Sequence, residues 1–71
     1  IAKREGFTTP DANEAIVKST AMKQCKDVYV LADTTKFGQV SSVTFGEFAD
    51  GCILTEEIPE EYRESRNILK V

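Results

Sequence analysis

Residues 28–38 decide the fold of this chain, and they read Val28-Tyr29-Val30-Leu31-Ala32-Asp33-Thr34-Thr35-Lys36-Phe37-Gly38. The first five form a continuous apolar run rich in β-branched residues, which predicts a strand buried on both faces. Polar side chains and a glycine follow directly where this strand ends. Because α/β proteins bind ligands outside the carboxyl ends of their strands, we expect a ligand at this exit.

The residues of this exit suit a phosphate group. Lys36 supplies a compact ammonium and Thr34 and Thr35 supply hydroxyls, while Asp33 and Gly38 complete the segment. Point charge and short hydrogen bonds of this kind hold phosphate well. The residues themselves therefore predict a phosphorylated small molecule as the ligand.

Length and composition limit the chain to at most one small domain. It has 71 residues, of which 41% are hydrophobic and 30% charged, a composition typical of globular proteins. A chain of this size buries only about 60% of the surface that its unfolded form exposes. Residues 1–5 contain no initiator methionine and no turn or cap signal, so we expect a fragment of a longer chain.

The charge pattern argues against several classes of partner. Nine basic and twelve acidic residues give a net charge of −3, and basic residues cluster only in pairs, so nucleic-acid contact by this segment is not expected. No apolar run approaches the about 20 residues of a membrane span, and no signal peptide is visible. We expect a cytoplasmic protein with no membrane partner.

Cysteine and histidine usage narrows the chemistry. Cys25 and Cys52 lack the spacing of a metal or redox site, and buried reduced thiols are favoured over a bridge or a reactive thiol. The absence of histidine excludes the usual catalytic triads and zinc sites. We expect no metal, no cofactor and no catalytic residue.

A helix is predicted over residues 11–25. Thr9 is the predicted N-cap and Pro10 the first helical residue, while Asp11 and Glu14 complement the helix dipole. Thr9 has a second interpretation as an anion-binding hydroxyl at a helix N-terminus. Apolar and small residues recur at helical spacing, which predicts a face turned to the core. They are Ala12, Ala15, Ile16, Ser19, Met22 and Cys25.

Shorter elements follow in the second half. Residues 40–45 predict a short strand or an irregular connection, and residues 45–51 a helical turn. Residues 52–55 predict a second parallel strand, a short helix runs from Pro59 to about Ser65, and residues 67–71 predict a final strand. A helix leading directly into a buried strand favours a parallel α/β unit, with about three to four short strands and two helices.

Four blocks carry a resemblance to a known family. They are residues 6–11, then Glu14-Ala15 with Val17-Lys18 and Ala21-Met22, then residues 31–38, and lastly residues 53–55 with 67–71. On these blocks, which span nearly the whole chain, the sequence resembles the C-terminal half of the sugar-phosphate sensor domain of DeoR-type bacterial transcriptional repressors.

The resemblance implies a Rossmann-like parallel sheet fragment, similar to ribose-5-phosphate isomerase and glucosamine-6-phosphate deaminase. Residues 1–71 would be the C-terminal part of one effector-sensing domain. The N-terminal half of the sensor and the winged helix-turn-helix that binds DNA would lie outside this chain. The implied function is repression of carbohydrate metabolism genes by a homo-oligomer whose operator affinity changes when a sugar phosphate binds.

The resemblance also implies roles for single residues. Lys36 would pair with the ligand phosphate, Thr34 and Thr35 would donate hydrogen bonds, and Asp33 would accept them from sugar hydroxyls. A structural alternative stays open for Asp33, which commonly satisfies backbone amides in such turns. Gly38 would permit a positive φ or lie beside the ligand. Relatives often have Thr-Asp where this chain has Thr55-Glu56, which leaves Glu56 without an expected role.

The alternative function is a fragment of a sugar-phosphate isomerase or an amino-sugar phosphate deaminase with the same fold. Such chemistry needs a positioned carboxylate base with an acid partner. The acidic group formed by Glu56, Glu57, Glu60 and Glu61 is typical of a solvated loop and helix start. We therefore expect a non-enzymatic binding module.

Overall fold

A computed structural model describes all 71 residues, Ile1–Val71. One helix, α1, spans Ala12–Gln24. The five strands are β1 (Phe7–Thr9), β2 (Tyr29–Leu31), β3 (Val43–Gly46), β4 (Cys52–Thr55) and β5 (Ile68–Lys70). Three single 3-10 turns cover Thr34–Lys36, Phe48–Asp50 and Glu60–Tyr62.

Three of the strands form the parallel sheet that the sequence predicts. β4 lies in the centre, with β2 on one side and β5 on the other, and both pairings are parallel. Apolar runs that each end in polar groups give this sheet its strands. The α/β class and the Rossmann-like parallel sheet fragment are confirmed.

A second layer covers one face of this sheet. β1 and β3 pair in antiparallel orientation, and α1 packs on this two-stranded ribbon. Phe7 points from β1 into the core and is 1% exposed. The core consists of four buried side chains from both layers: Phe7, Ile53, Tyr62 and Ile68.

The prediction that the strand at residues 28–32 is buried on both faces is wrong. The register aligns Val30 with Ile53 and Ile53 with Ile68, and this row faces the core. The side chains of the other row point to the opposite face, because successive residues of a strand alternate. On β2 these side chains are Tyr29, 64% exposed, and Leu31, 80% exposed.

The uncovered face is apolar across all three strands. Leu31 aligns with Leu54 and Leu54 with Leu69, so their side chains share this face with Tyr29 and Val71. We call these five residues the open sheet face. The apolar sequence pattern fits burial on both sides, whereas this chain supplies a covering layer for one side only.

The N-cap of α1 lies two residues after the predicted one. Asp11, not Thr9, is the N-cap of α1, and its carboxylate accepts hydrogen bonds from the backbone N–H groups of Asn13 and Glu14 at 2.9 and 3.2 Å. Thr9 does not cap the helix because it is the last residue of β1 and pairs with Val43. Pro10 accordingly precedes the cap.

Fewer residues of α1 are buried than the sequence predicts. Ala15 is its one fully buried residue, Met22 is partly buried against the core, and Ile16 is 64% exposed. The helix contacts the narrow ribbon of β1 and β3, which covers only one side of it. No helix in the structure is both long enough and apolar enough to cross a membrane.

Two further elements differ from the sequence prediction. The helix expected from Pro59 is a 3-10 turn, Glu60–Tyr62, because a segment this short gains few hydrogen bonds to offset helix nucleation. Tyr62 instead inserts into the core against the rings of Phe37 and Phe48, at 4.9 and 6.0 Å between centroids. The strand alternative for residues 40–45 is confirmed as β3, and β1 was not predicted.

Both cysteines are free thiols, but burial holds for neither in full. Cys52 is partly buried in β4, whereas Cys25 is exposed. Cys25 is the C-cap of α1, beyond the part of the helix that contacts the ribbon. Helical spacing placed it on the apolar face, but the helix ends at that point.

Candidate functional site

A cavity of about 320 Å³ lies between the start of α1, the end of β1 and the exit of β2. We call it the Lys36 cavity. Its apolar part is formed mainly by Val30, Leu31, Ala32 and Phe45. Its polar lining consists of Thr8, Thr9, Glu14, Lys18, Lys36, Gln39 and Ser41.

The cavity brings together two residues that the sequence singled out separately. Lys36 ends the 3-10 turn that follows β2, and Thr9 ends β1. The ammonium of Lys36 takes part in neither of the two salt bridges of the structure. Lys36 therefore offers an unpaired positive charge to the cavity that Thr9 also lines.

Asp33 shapes the turn that carries Lys36. Its carboxylate accepts hydrogen bonds from the backbone N–H of Thr35, at 3.0 Å, and from the Thr35 hydroxyl. These bonds lower the pKa of Asp33 below its ordinary value, and the nearby charge of Lys36 acts in the same direction. Asp33 thus has the capping contact that the sequence allowed as its structural alternative, and the hydroxyl proton of Thr35 points to Asp33.

The remaining predicted site residues lie outside the Lys36 cavity. Asp33 lines a neighbouring depression of about 300 Å³ together with Glu56, at the carboxyl ends of β2 and β4. Thr34, Thr35 and Gly38 line neither space. Gly38 has a φ of +81° with open space beside its Cα, so its backbone conformation accounts for the glycine.

Backbone contacts fix the loop that carries Lys36. The backbone N–H of Gly38 donates to the carbonyl of Ile1 at 2.6 Å. The N–H of Ser41 donates to the hydroxyl of Thr8 at 2.9 Å, which ties the far end of the loop to β1. The loop is therefore held at both ends around the cavity.

Sequence reasoning missed Glu14 and Lys18 as site residues. The ammonium of Lys18 lies 2.6 Å from Oε1 of Glu14, and the Thr9 hydroxyl donates to the same oxygen at 3.4 Å. The ammonium also lies 5.1 Å from the centroid of the Phe45 ring. The signal that could have found them is the four-residue spacing of Glu14 and Lys18 in a helix that follows Thr9.

This lining suits a small, hydrophilic anion. One unpaired ammonium and three hydroxyl side chains offer charge and hydrogen bonds, while the apolar part offers a surface for a carbon skeleton. The volume lies at the lower end of the about 300–1,000 Å³ range of ligand pockets. A phosphorylated monosaccharide combines these features in one molecule.

Comparison with known proteins found a family model and a related protein that match this chain. The profile of the DeoR C terminal sensor domain family matches residues 1–57. The chain is 44% identical over 69 residues to an uncharacterized HTH-type transcriptional regulator, FruR, of Bacillus subtilis (strain 168). The match covers 93% of this chain but 28% of that relative, so the chain spans under a third of the regulator's length. No solved structure matches the chain significantly.

Proposed function

The chain belongs to the DeoR C-terminal sensor domain family, and on that premise we propose that it forms the effector-binding part of a transcriptional repressor of carbohydrate metabolism genes. The effector is a phosphorylated sugar that binds in the Lys36 cavity. The chain acts by binding and not as an enzyme.

The observation that carries this proposal is the meeting of Lys36 and Thr9 in one cavity. Thr9 ends β1 and Lys36 follows β2, so 26 residues lie between them in the sequence. Both nevertheless line the same cavity. A hydrogen bond to a charged group contributes about 1.5 to 3 kcal/mol, or about ten- to a hundredfold in affinity. Lys36 is the residue that we assign to the phosphate.

The effector alters operator affinity by binding more tightly to one of two states of the protein, since a ligand shifts an equilibrium only by its differential affinity. DNA contact belongs to a helix-turn-helix domain elsewhere in the protein. The repressor is a cytoplasmic homo-oligomer, whose subunit arrangement sets the spacing of its DNA-binding domains. This arrangement is the route by which the effector acts on DNA.

The open sheet face supports the view that residues 1–71 are one part of a larger sensor domain. Parallel sheets in α/β proteins are covered on both faces, yet Leu31 and Val71 on this face are 80% and 71% exposed. The FruR relative extends well beyond the region that this chain matches. The N-terminal half of the sensor is the segment that we assign to this face.

Operator binding by the full-length protein tests the function. Operator affinity is measured with a panel of pentose and hexose monophosphates, with the unphosphorylated sugars and inorganic phosphate as controls. The proposal predicts that at least one sugar phosphate changes the affinity while the controls do not. No response to any member of the panel would contradict it, and isomerase or deaminase turnover of a member would favour the enzyme alternative.

A further inference from the structure

The ion pair between Glu14 and Lys18 lines the cavity from the first half of α1. Both side chains are about half exposed, at 46% for Glu14 and 48% for Lys18, so a ligand in the cavity reaches them. The two residues lie four positions apart, on one face of the helix and on successive turns. An ordinary surface pair of this spacing serves only to support its helix, by a few tenths of a kcal/mol.

Three contacts hold this pair in a fixed geometry. Lys18 and the Thr9 hydroxyl both donate to Oε1 of Glu14, at 2.6 and 3.4 Å. The Phe45 ring lies next to the ammonium of Lys18. Both hydrogen bonds to the carboxylate thus go to one oxygen, which leaves Oε2 without a partner.

We propose that Glu14 reads the hydroxyl groups of the ligand, with Oε2 accepting a hydrogen bond from the sugar while the phosphate lies at Lys36. This inference rests on the proposed function, and it assigns the second end of the same ligand. An ionised carboxylate accepts hydrogen bonds only, and sugar hydroxyls are donors that match it. Lys18 is a positioning residue that acts through Glu14.

The charge of Lys18 makes a carboxylate compatible with an anionic ligand. A bare Glu14 would repel a phosphate bound in the same small cavity, since like charges in partly desolvated sites interact strongly. With Lys18 at 2.6 Å the pair carries no net charge, while its free oxygen keeps its acceptor capacity. The pair therefore selects for hydroxyl groups without opposing the phosphate.

A selective effect on sugar phosphates follows from this arrangement. Inorganic phosphate reaches Lys36 but carries no sugar hydroxyl to place at Glu14. A pentose or hexose monophosphate reaches both groups. Removing the charge of Glu14 should therefore weaken binding of the sugar phosphate. It should not weaken binding of inorganic phosphate, since it leaves Lys18 as an unpaired cation in the cavity.

The test is calorimetric titration of the full-length protein with glucose 6-phosphate, fructose 6-phosphate, fructose 1-phosphate, ribose 5-phosphate and inorganic phosphate. For the sugar phosphate that binds best, Glu14→Gln should lower affinity about ten- to a hundredfold. Inorganic phosphate should bind as tightly or more tightly, because Lys18 loses its partner. Lys18→Met should lower the affinity for both ligands, because it leaves the negative charge of Glu14 without its partner. The double variant should regain inorganic phosphate affinity but not sugar phosphate affinity.

Glu60→Gln is the matched control, because Glu60 forms an exposed ion pair with Arg63 at 3.0 Å that lies outside the cavity. Its affinities should equal those of the unmodified protein. If Glu14→Gln fails to fold, Glu14→Asp is used instead. Its side chain keeps the charge, but it is one methylene shorter and moves the carboxylate away from the ligand. The same loss, confined to the sugar phosphate, is expected.

Two results would show that Glu14 does not read the sugar hydroxyls, and only the second would also contradict the proposed function. If the sugar phosphate binds and the Glu14 variants leave its affinity unchanged, or lower it equally with that of inorganic phosphate, Glu14 reads no hydroxyl while the assignment of Lys36 stands. If the unmodified protein binds no member of the panel, the proposed function fails and this inference fails with it.

Discussion

Among single residues, Asp33 and Lys36 have different roles in the segment after β2. Asp33 accepts two hydrogen bonds from Thr35 and so builds the turn, whereas Lys36 has an unpaired ammonium at the cavity. The sequence predicted both side chains at a strand exit but left the role of Asp33 open. Only the hydrogen bonds separate the two roles, because a carboxylate in such a turn serves either one equally well.

Asp33 makes the turn sensitive to acid. Its pKa is lowered in the folded protein, chiefly by the Thr35 hydroxyl and backbone N–H, so the carboxylate stabilises the fold above its ordinary pKa of 3.8. This contribution is lost as the pH falls through the lowered value. The midpoint of thermal unfolding should thus be higher for the unmodified protein than for Asp33→Asn at pH 7, and the difference should shrink below pH 3.8. A difference that stays constant with pH would contradict this role.

Among the elements, the parallel strands and the helix were predictable, and residues 52–55 form β4 with the predicted bounds. Apolar runs that end in polar groups identify β2 and β4, and helical spacing identifies α1. β1 escaped prediction because its three residues, Phe7–Thr9, resemble the approach to a helix, and its strand form depends on pairing with β3. Pairing between distant segments leaves no local pattern in the sequence.

The start of α1 depends on Asp11. Its carboxylate caps two backbone N–H groups, so Asp11→Ala should lower the free energy of unfolding by about 1 kcal/mol. Asp27 is exposed and makes no side-chain hydrogen bond or salt bridge, which makes Asp27→Ala the matched control, with an expected change within about 0.5 kcal/mol. Denaturant unfolding of the full-length protein measures both. Equal effects of the two substitutions would contradict the assigned cap.

At the scale of the whole molecule, the main departure from the sequence prediction is the open sheet face. The run at residues 28–32 has the pattern of a strand covered on both faces, and that pattern conflicts with the exposure of Tyr29 and Leu31 in the structure. The candidate site was predictable only in part, because part of it forms only when distant elements pack together. Lys36 and Thr9 carry local signals, whereas Glu14 and Lys18 become site residues only when α1 packs beside the β2 exit.

Leu31 tests whether another segment of the protein covers this face. In the full-length protein, Leu31→Ala should cost about 2 kcal/mol or more of unfolding free energy, as truncation of a buried leucine does. Val17→Ala, at a position 69% exposed on α1 and outside the open sheet face, serves as the comparison. A change at Leu31 within about 0.5 kcal/mol, typical of surface positions, would mean that the face stays exposed.

Binding of the phosphate at Lys36 is best tested by calorimetric titration of the full-length protein and its Lys36→Ala variant with the sugar phosphate that binds best. The expected loss of affinity is about ten- to a hundredfold, with only partial recovery in Lys36→Arg because the guanidinium fork differs from a compact ammonium. Lys23→Ala, an exposed position on α1 that does not line the cavity, should bind like the unmodified protein. Unchanged affinity in a folded Lys36→Ala protein would mean that the phosphate does not bind at Lys36, which contradicts the proposed site.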